Sequence, residues 1–182
     1  ADVAERCGAQ VVRNETNRGF GAAANQGVAL GASELVLLLN PDAVVDEAAL
    51  LRLVDALRTD DRCAVVGPSL RRPGGSAQRA AWPFPNSRSA WLEAFGLLRL
   101  GDRRPLGFVI GACFLTLRSV WRDLDGLDER YWLYGEEADY CKRVTQLGHT
   151  VRLVEGAEAR HIGGASGPSL GEVTLEHFLR GT

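Results

Sequence analysis

The chain has no methionine, and its only lysine is Lys142. A sequence without methionine is not a whole open reading frame, so it is expected to be a processed product or a piece of a longer protein. It also lacks any apolar run long enough to cross a bilayer; the most apolar stretch, "LVLLLN" (Leu35–Asn40), has strand length. The opening "ADVAERCGAQ" carries no apolar segment of the kind a secretory signal needs. A large excess of charge of either sign is missing too. A net charge of -2 gives no electrostatic reason to expect nucleic acid as a partner. The four cysteines, Cys7, Cys63, Cys113 and Cys141, form no CxxC pair and no metal-type spacing. Three of them lie inside apolar stretches, which reads as reduced core thiols of a cytosolic protein. There is no internal repeat, low-complexity tract or linker. With 46% hydrophobic and 24% charged residues, the 182-residue chain is expected to form one domain, 1–182, around a real core.

The apolar period then alternates between strand and helix. "AQVVRN" (Ala9–Asn14) reads as a short strand, and "AAANQGVALGAS" (Ala22–Ser33) as a helix ending near Gly31. "ELVLLLN" (Glu34–Asn40) reads as a strand buried on both faces, stopped by Pro41. Asp46 is placed to cap a helix over Glu47–Arg58, in which Leu50, Leu53, Val54 and Leu57 form one stripe. "CAVVGPSL" (Cys63–Leu70) is another strand. Residues 71–105 hold Pro, Gly, Ser and aromatics without a period and read as an irregular excursion. Strand character returns over Gly107–Ser119, a turn falls at Asp125–Gly126, and a helix runs from about Glu136 to Leu147. "HTVRLVEG" reads as the last strand, "ARHIGGASG" as a glycine-rich loop, and 168–182 as a C-terminal helix. This rhythm argues for an α/β sandwich with parallel strands.

Three places could carry chemistry. Asp42 lies just past the carboxyl end of the most apolar strand, where open α/β sheets bind ligands. Asn40 and Asp42 flank a stiffening proline, an oxygen pair of the kind that hard divalent cations favour; a solvated helix-entry turn is the other reading. In "YGEEADYCKR" (Tyr134–Arg143), Glu137, Cys141, Val144 and Gly148 share one helical face, so Glu137 is expected to point inward. Asp139 and Arg143, four apart, read as a surface pair. A carboxylate held at a helix N-terminus and partly buried suits a general base. His161, after the last strand, is either a structural histidine or a group converging on Asp42.

Three stretches resemble family 2 glycosyltransferases with the GT-A fold, most closely their rhamnosyltransferase-like and galactofuranosyltransferase-like members. "NRGFGAAANQGV" (Asn17–Val28) is similar to the family's N-x-G-F-x-x-x-x-N-x-G segment, and "VLLLNPDAVV" (Val36–Val45) to its strand ending in an NPD form of the DxD metal motif. Gly111–Ser166 resembles the run that carries Gly-Gly-Phe-Asp-Glu, then Glu-Asp-x-Asp, then a histidine before a glycine-serine loop. The resemblance implies an α/β fold with a GT-A-type, Rossmann-like, mixed and mainly parallel sheet flanked by helices. It implies that Asp42, with Asn40 beside it, and His161 engage Mg2+ or Mn2+ on a donor diphosphate. Glu137 would deprotonate the acceptor hydroxyl, with Glu136 and Gly111 in the substrate site. Asn17, Gly19, Phe20 and Asn25 would line the donor side, where amides at a helix start suit phosphate. Trp132 and Tyr134 would stack on a sugar or serve as core aromatics.

The activity so implied is inverting transfer of a deoxyhexose such as rhamnose, or of galactofuranose, from a dTDP- or UDP-linked donor. The acceptor would be a hydroxyl of a cell-surface glycan or lipid carrier, with the protein in the cytoplasm at the inner face of the membrane and not spanning it. Two departures stand out. Glu136-Glu137 occupies the place of Glu-Asp, and the family's opening "VVVVTYN"-type strand and a second strand ending in Asp, which bind the nucleotide base, are not found in this sequence. They support an alternative, a catalytically impaired remnant that binds carbohydrate. A sugar-nucleotide pyrophosphorylase is disfavoured because its glycine-rich basic N-terminal loop is not found.

Overall fold

The computed structural model describes residues 2–84 and 105–162. The expected C-terminal helix over 168–182, the glycine-serine loop from Gly163 and most of the 71–105 excursion lie outside the described residues. A short helix α1 (Asp2–Arg6) precedes α2 (Phe20–Ala29), β1 (Leu35–Leu39), β2 (Ala43–Val45), α3 (Glu47–Arg58) and β3 (Cys63–Arg71). After the short strands β4 (Ala77–Gln78), β5 (Ala81–Trp82) and β6 (Phe108–Val109) come β7 (Cys113–Leu117), α4 (Arg118–Asp123), α5 (Glu136–Gln146) and β8 (Thr150–His161).

The main sheet runs β1-β7-β3-β8-β2, with β4 added to the end of β3, and β5 pairs with β6 separately. The mixed α/β sheet is as expected. Among the described residues its parallel pairing is the long central ladder of β3 with β8; the β1–β7, β3–β7, β2–β8 and β3–β4 ladders are antiparallel. That ladder has a bulge, because Pro68 faces Val154 and the next residue, Ser69, faces Glu158.

Helix α3 begins where its sequence says it should: the Asp46 side chain accepts a hydrogen bond from Ala49 N at 2.7 Å. Its buried stripe includes Leu53 and Leu57, which pack on Val66 and Leu115 on one face of the sheet. The other face buries Phe114 and Val65 against Tyr140, Cys141 and Val144 of α5 and Trp121 of α4. Tyr140 closes this layer, its ring edge-on to Phe114 and its hydroxyl 3.2 Å from the Thr116 hydroxyl. Cys63, Cys113 and Cys141 are buried thiols and Cys7 is exposed.

Two expectations are corrected. Ala9–Asn14 is irregular, because among the described residues it has no strand to pair with and most of it is exposed. β1 enters the core on both faces, Leu35 and Leu37 on the α3 side and Val36 and Leu38 on the α5 side, but it is less closed at its end than expected, since Leu39 is 43% exposed.

Candidate active site

The chain makes its first site at the end of β1. Asn40 N donates to Ala112 O at 3.1 Å and Ala43 N donates to Asn40 O at 3.0 Å, so Pro41 and Asp42 sit in a tight turn between β1 and β2. β2 then runs antiparallel to the last residues of β8, with Ala43 opposite His161, and Ile162 N donates to Asp42 O. These ladders bring Asp42 Oδ1 to 3.4 Å from His161 Nε2, both side chains nearly covered. The convergence expected of the two residues is therefore met, but by a strand and not a loop. "AEARH" (Ala157–His161) alternates buried and exposed and belongs to β8. The opposite ring nitrogen of His161 meets the Gln78 amide, a contact that reading the sequence missed. Among the described residues no three His, Cys, Asp or Glu side chains cluster as a cage for a metal. One carboxylate and one imidazole are the donors offered, a set suited to Mg2+ or Mn2+ when substrate phosphates complete the shell.

The second site is the start of α5. Tyr134 (φ 67°) and Gly135 (φ 97°) are both left-handed, and the helix begins immediately after them. The helical phase singles out Glu137 as the inward-facing acid. The structure buries Glu136 and half-buries Glu137, and Oε2 of each is shielded from solvent without a partner. A packing face is at least ~100° wide, the angle between consecutive helical residues, so two neighbours fit within it. Burial, and then the charge of Glu137, push the Glu136 carboxyl up to about 8. Burial also raises Glu137, opposed by the backbone N–H groups of Glu137 itself, Gly111 and Gly135 turned towards its carboxylate. Gly111 leads into Ala112, whose carbonyl holds Asn40. One short turn thus ties the Glu137 carboxylate to the strand end that carries Asp42.

The expected surface pair is more than that. Asp139 Oδ2 and Arg143 Nε are 2.7 Å apart with each side chain about one-quarter exposed. Arg143 also donates to Leu124 O and Gly126 O and lies over the Tyr140 ring. It fastens α5 to the turn at Asp125–Gly126, where both residues have positive φ.

The "NRGFG" segment is latched to the loop before α5. Asn17 Oδ1 accepts from Gly19 N at 2.9 Å, and Phe20 N donates to Trp132 O at 3.1 Å. Gly19 has φ 91°, and a Cβ there would lie 2.6 Å from Trp132 O, so no other residue fits. The Phe20 ring lies against Gly111: a Cβ on Gly111 would meet Phe20 Cζ at 3.7 Å. Trp132 and Tyr134 are 40% and 41% exposed, surface positions and not core ones. Asn25 is placed differently. Its amide donates to Leu127 O and accepts from Leu127 N, so it anchors the 125–127 turn and is not brought to the strand ends.

The model of the family "Glycosyl transferase family 2" matches residues 1–125, a span that holds Asp42 and ends before Glu136. The chain is 30% identical over 171 residues to the N-acetylglucosaminyl-diphospho-decaprenol L-rhamnosyltransferase of Mycobacterium tuberculosis, covering 80% of this chain and 56% of that protein. It is 22% identical over 154 residues to the low-salt glycan biosynthesis hexosyltransferase Agl10 of Haloferax volcanii, covering 80% and 49%. The chain thus spans about half the length of these relatives. Among solved structures, GalNAc-T7 with UDP, GalNAc and Mn2+ is similar at TM-score 0.65 and 18% identity, over 99% of this chain and 38% of that one. The mannosyltransferase PcManGT from Pyrobaculum calidifontis, in complex with GDP-Man and Mn2+, is similar at TM-score 0.61 and 14% identity, over 87% and 41%. At such identities these likenesses establish the fold, and it is the GT-A glycosyltransferase fold.

Proposed function

The chain belongs to glycosyl transferase family 2, and from that premise we propose that it moves a sugar from a nucleotide-diphospho-sugar to an acceptor hydroxyl with inversion. The observation that carries this reading is the buried Glu137 carboxylate with its unpartnered Oε2, tied through Gly111 and Ala112 to the strand end where Asp42 and His161 meet. A buried acceptor atom without a donor is costly unless something visits it. An acceptor hydroxyl is such a visitor, and Glu137 takes its proton as the oxygen attacks the anomeric carbon.

Asp42 Oδ1 and His161 Nε2 would hold Mg2+ or Mn2+, which would supply Lewis-acid neutralisation of the departing diphosphate. A leaving group so neutralised needs no second carboxylate as acid, unlike the pair that flanks the bond in a glycosidase. Asn17 and Gly19 fix the start of α2, whose amide groups suit phosphate. Phe20, packed on Gly111, shapes the floor between the two sites. Trp132 and Tyr134 offer exposed rings for a sugar beside the base. The relative from Mycobacterium tuberculosis supports a rhamnosyl donor ahead of galactofuranose and a lipid-linked diphosphate acceptor; dTDP is the nucleotide that the family resemblance implies for rhamnose. No helix among the described residues is long and apolar enough to cross a membrane. The lipid-linked acceptor in the name of the Mycobacterium tuberculosis relative supports a reaction in the cytoplasm at the inner membrane face, reached by peripheral contact.

Transfer assays with dTDP-rhamnose, Mn2+ and a polyprenyl-diphosphate-linked N-acetylglucosamine acceptor test this. Glu137→Gln should lose roughly 10²-fold or more in kcat. Wild-type turnover by that variant would end the base assignment. The substitution of Glu-Asp by Glu136-Glu137 favours the second reading, a carbohydrate-binding module. Glycan binding without donor turnover under any divalent metal would select it.

A further inference from the structure

We propose that Gln78 is the positioning residue of His161, its amide pairing with Nδ1 in either of two orientations so that Nε2 serves as donor or as lone-pair ligand without moving the ring. The inference rests on the metal reading of Asp42 and His161 given above. Both amide atoms of Gln78 lie within hydrogen-bond reach of Nδ1, Nε2 at 3.1 Å and Oε1 at 3.2 Å. The other face of the ring presents its Nε2 to Asp42 Oδ1 at 3.4 Å. A neutral imidazole carries one N–H and one lone pair. With the proton on Nε2, the ring donates towards Asp42, and the Gln78 NH2 group donates to Nδ1. With the proton on Nδ1, Gln78 Oε1 accepts it, and Nε2 turns a lone pair towards the carboxylate. Only the second form binds a cation, because imidazole ligates through a lone pair whose partner nitrogen is held by a hydrogen bond.

The backbone explains why Gln78 is there. Leu70 of β3 pairs with Gln78 on one side and with Ala159 of β8 on the other. His161, two residues past Ala159, shares its face of the sheet. A carboxylate in place of the amide serves only the Nδ1–H form. An alkyl group serves neither and leaves a buried nitrogen unpaired.

The test uses the whole chain labelled with 15N-histidine, read by long-range 1H–15N spectra without metal and with Mg2+, beside Mn2+ titration followed by the EPR signal of free ion. In the wild type His161 should carry its proton on Nε2 without metal and on Nδ1 with Mg2+. Gln78→Leu should weaken Mn2+ binding by about tenfold and abolish the wild-type nitrogen shifts. Gln78→Glu should hold the Nδ1–H form in both conditions and bind Mn2+ at least as tightly as wild type, which a misfolded variant would not do. Wild-type Mn2+ affinity together with wild-type His161 shifts in Gln78→Leu would overturn the proposal. Failure of the metal reading is separate: it is shown by a wild type that takes up no Mn2+, or by Asp42→Ala binding it unchanged. In that event the metal-free shifts alone decide, unchanged in Gln78→Leu refuting the pairing and altered upholding it.

Discussion

Replacing Glu136 by glutamine should make the protein more stable at neutral pH and remove a slope from its pH dependence. The carboxyl is 4% exposed, carries an unpartnered oxygen and is pushed from 4.5 up to about 8. Between those two values the folded state binds more protons at this group than the unfolded chain does. Stability is therefore fully present below pH 4.5 and falls as pH rises towards 8. From 4.5 to pH 7 the shift covers about 2.5 pH units, and at ~1.36 kcal/mol per unit this is about 3 kcal/mol. Glutamine keeps the shape, is neutral throughout and also lifts the repulsion from Glu137. Urea unfolding followed by tryptophan fluorescence at pH 5, 6, 7 and 8 reads the effect. With an m-value of about 2 kcal/mol/M, the wild-type midpoint should lag the variant by roughly 1.5 M at pH 7 and by far less at pH 5. Parallel midpoints for the two proteins across the whole range would refute the burial argument.

Gly19→Ala should destabilise by about 2 kcal/mol or more in thermal melts, since positive φ and the Trp132 carbonyl both oppose a Cβ. Asp46→Ala removes the α3 cap and should lower stability by ~1 kcal/mol in urea. Arg143→Ala leaves Asp139 and the carbonyls of Leu124 and Gly126 without their donor, a loss of about 2–3 kcal/mol. Hydrogen exchange should show that loss first at the 124–127 turn; uniform exchange across α5 and the turn would contradict the latch.

Much of this layout was legible because local signals agreed. Asp46 before an apolar stripe, Pro41 after a run of leucines and Gly148 after α5 each set a boundary where the structure has one. The end of β8 was legible as well, in the small-large alternation of "AEARH", but Gly156 and the following glycines drew the reading towards a loop. Other features had no local signal. Ala9–Asn14 has strand composition, yet composition supplies no partner. Gln78 sits in a stretch without period, and its use depends on β3 bringing a hairpin beside β8. The burial of Glu136 beside Glu137 was hidden for a similar reason. Helical phase orders residues around an axis, whereas the covering of a helix end depends on which other segments reach it.

The bulge between Val154 and Glu158 divides β8 into two separately indexed pieces. Thr150–Val154 is fixed by the core beside β3, while Glu158–His161 is fixed by β2 and the end of β3. Of the three residues between, Ala157 is buried in the core, whereas Glu155 and Gly156 are exposed and act as slack, so a change of chain length at those two is absorbed without moving His161 from its place opposite Ala43. Beyond Glu158 there is no such tolerance: one added residue would turn His161 to the far face of the sheet and part it from Asp42.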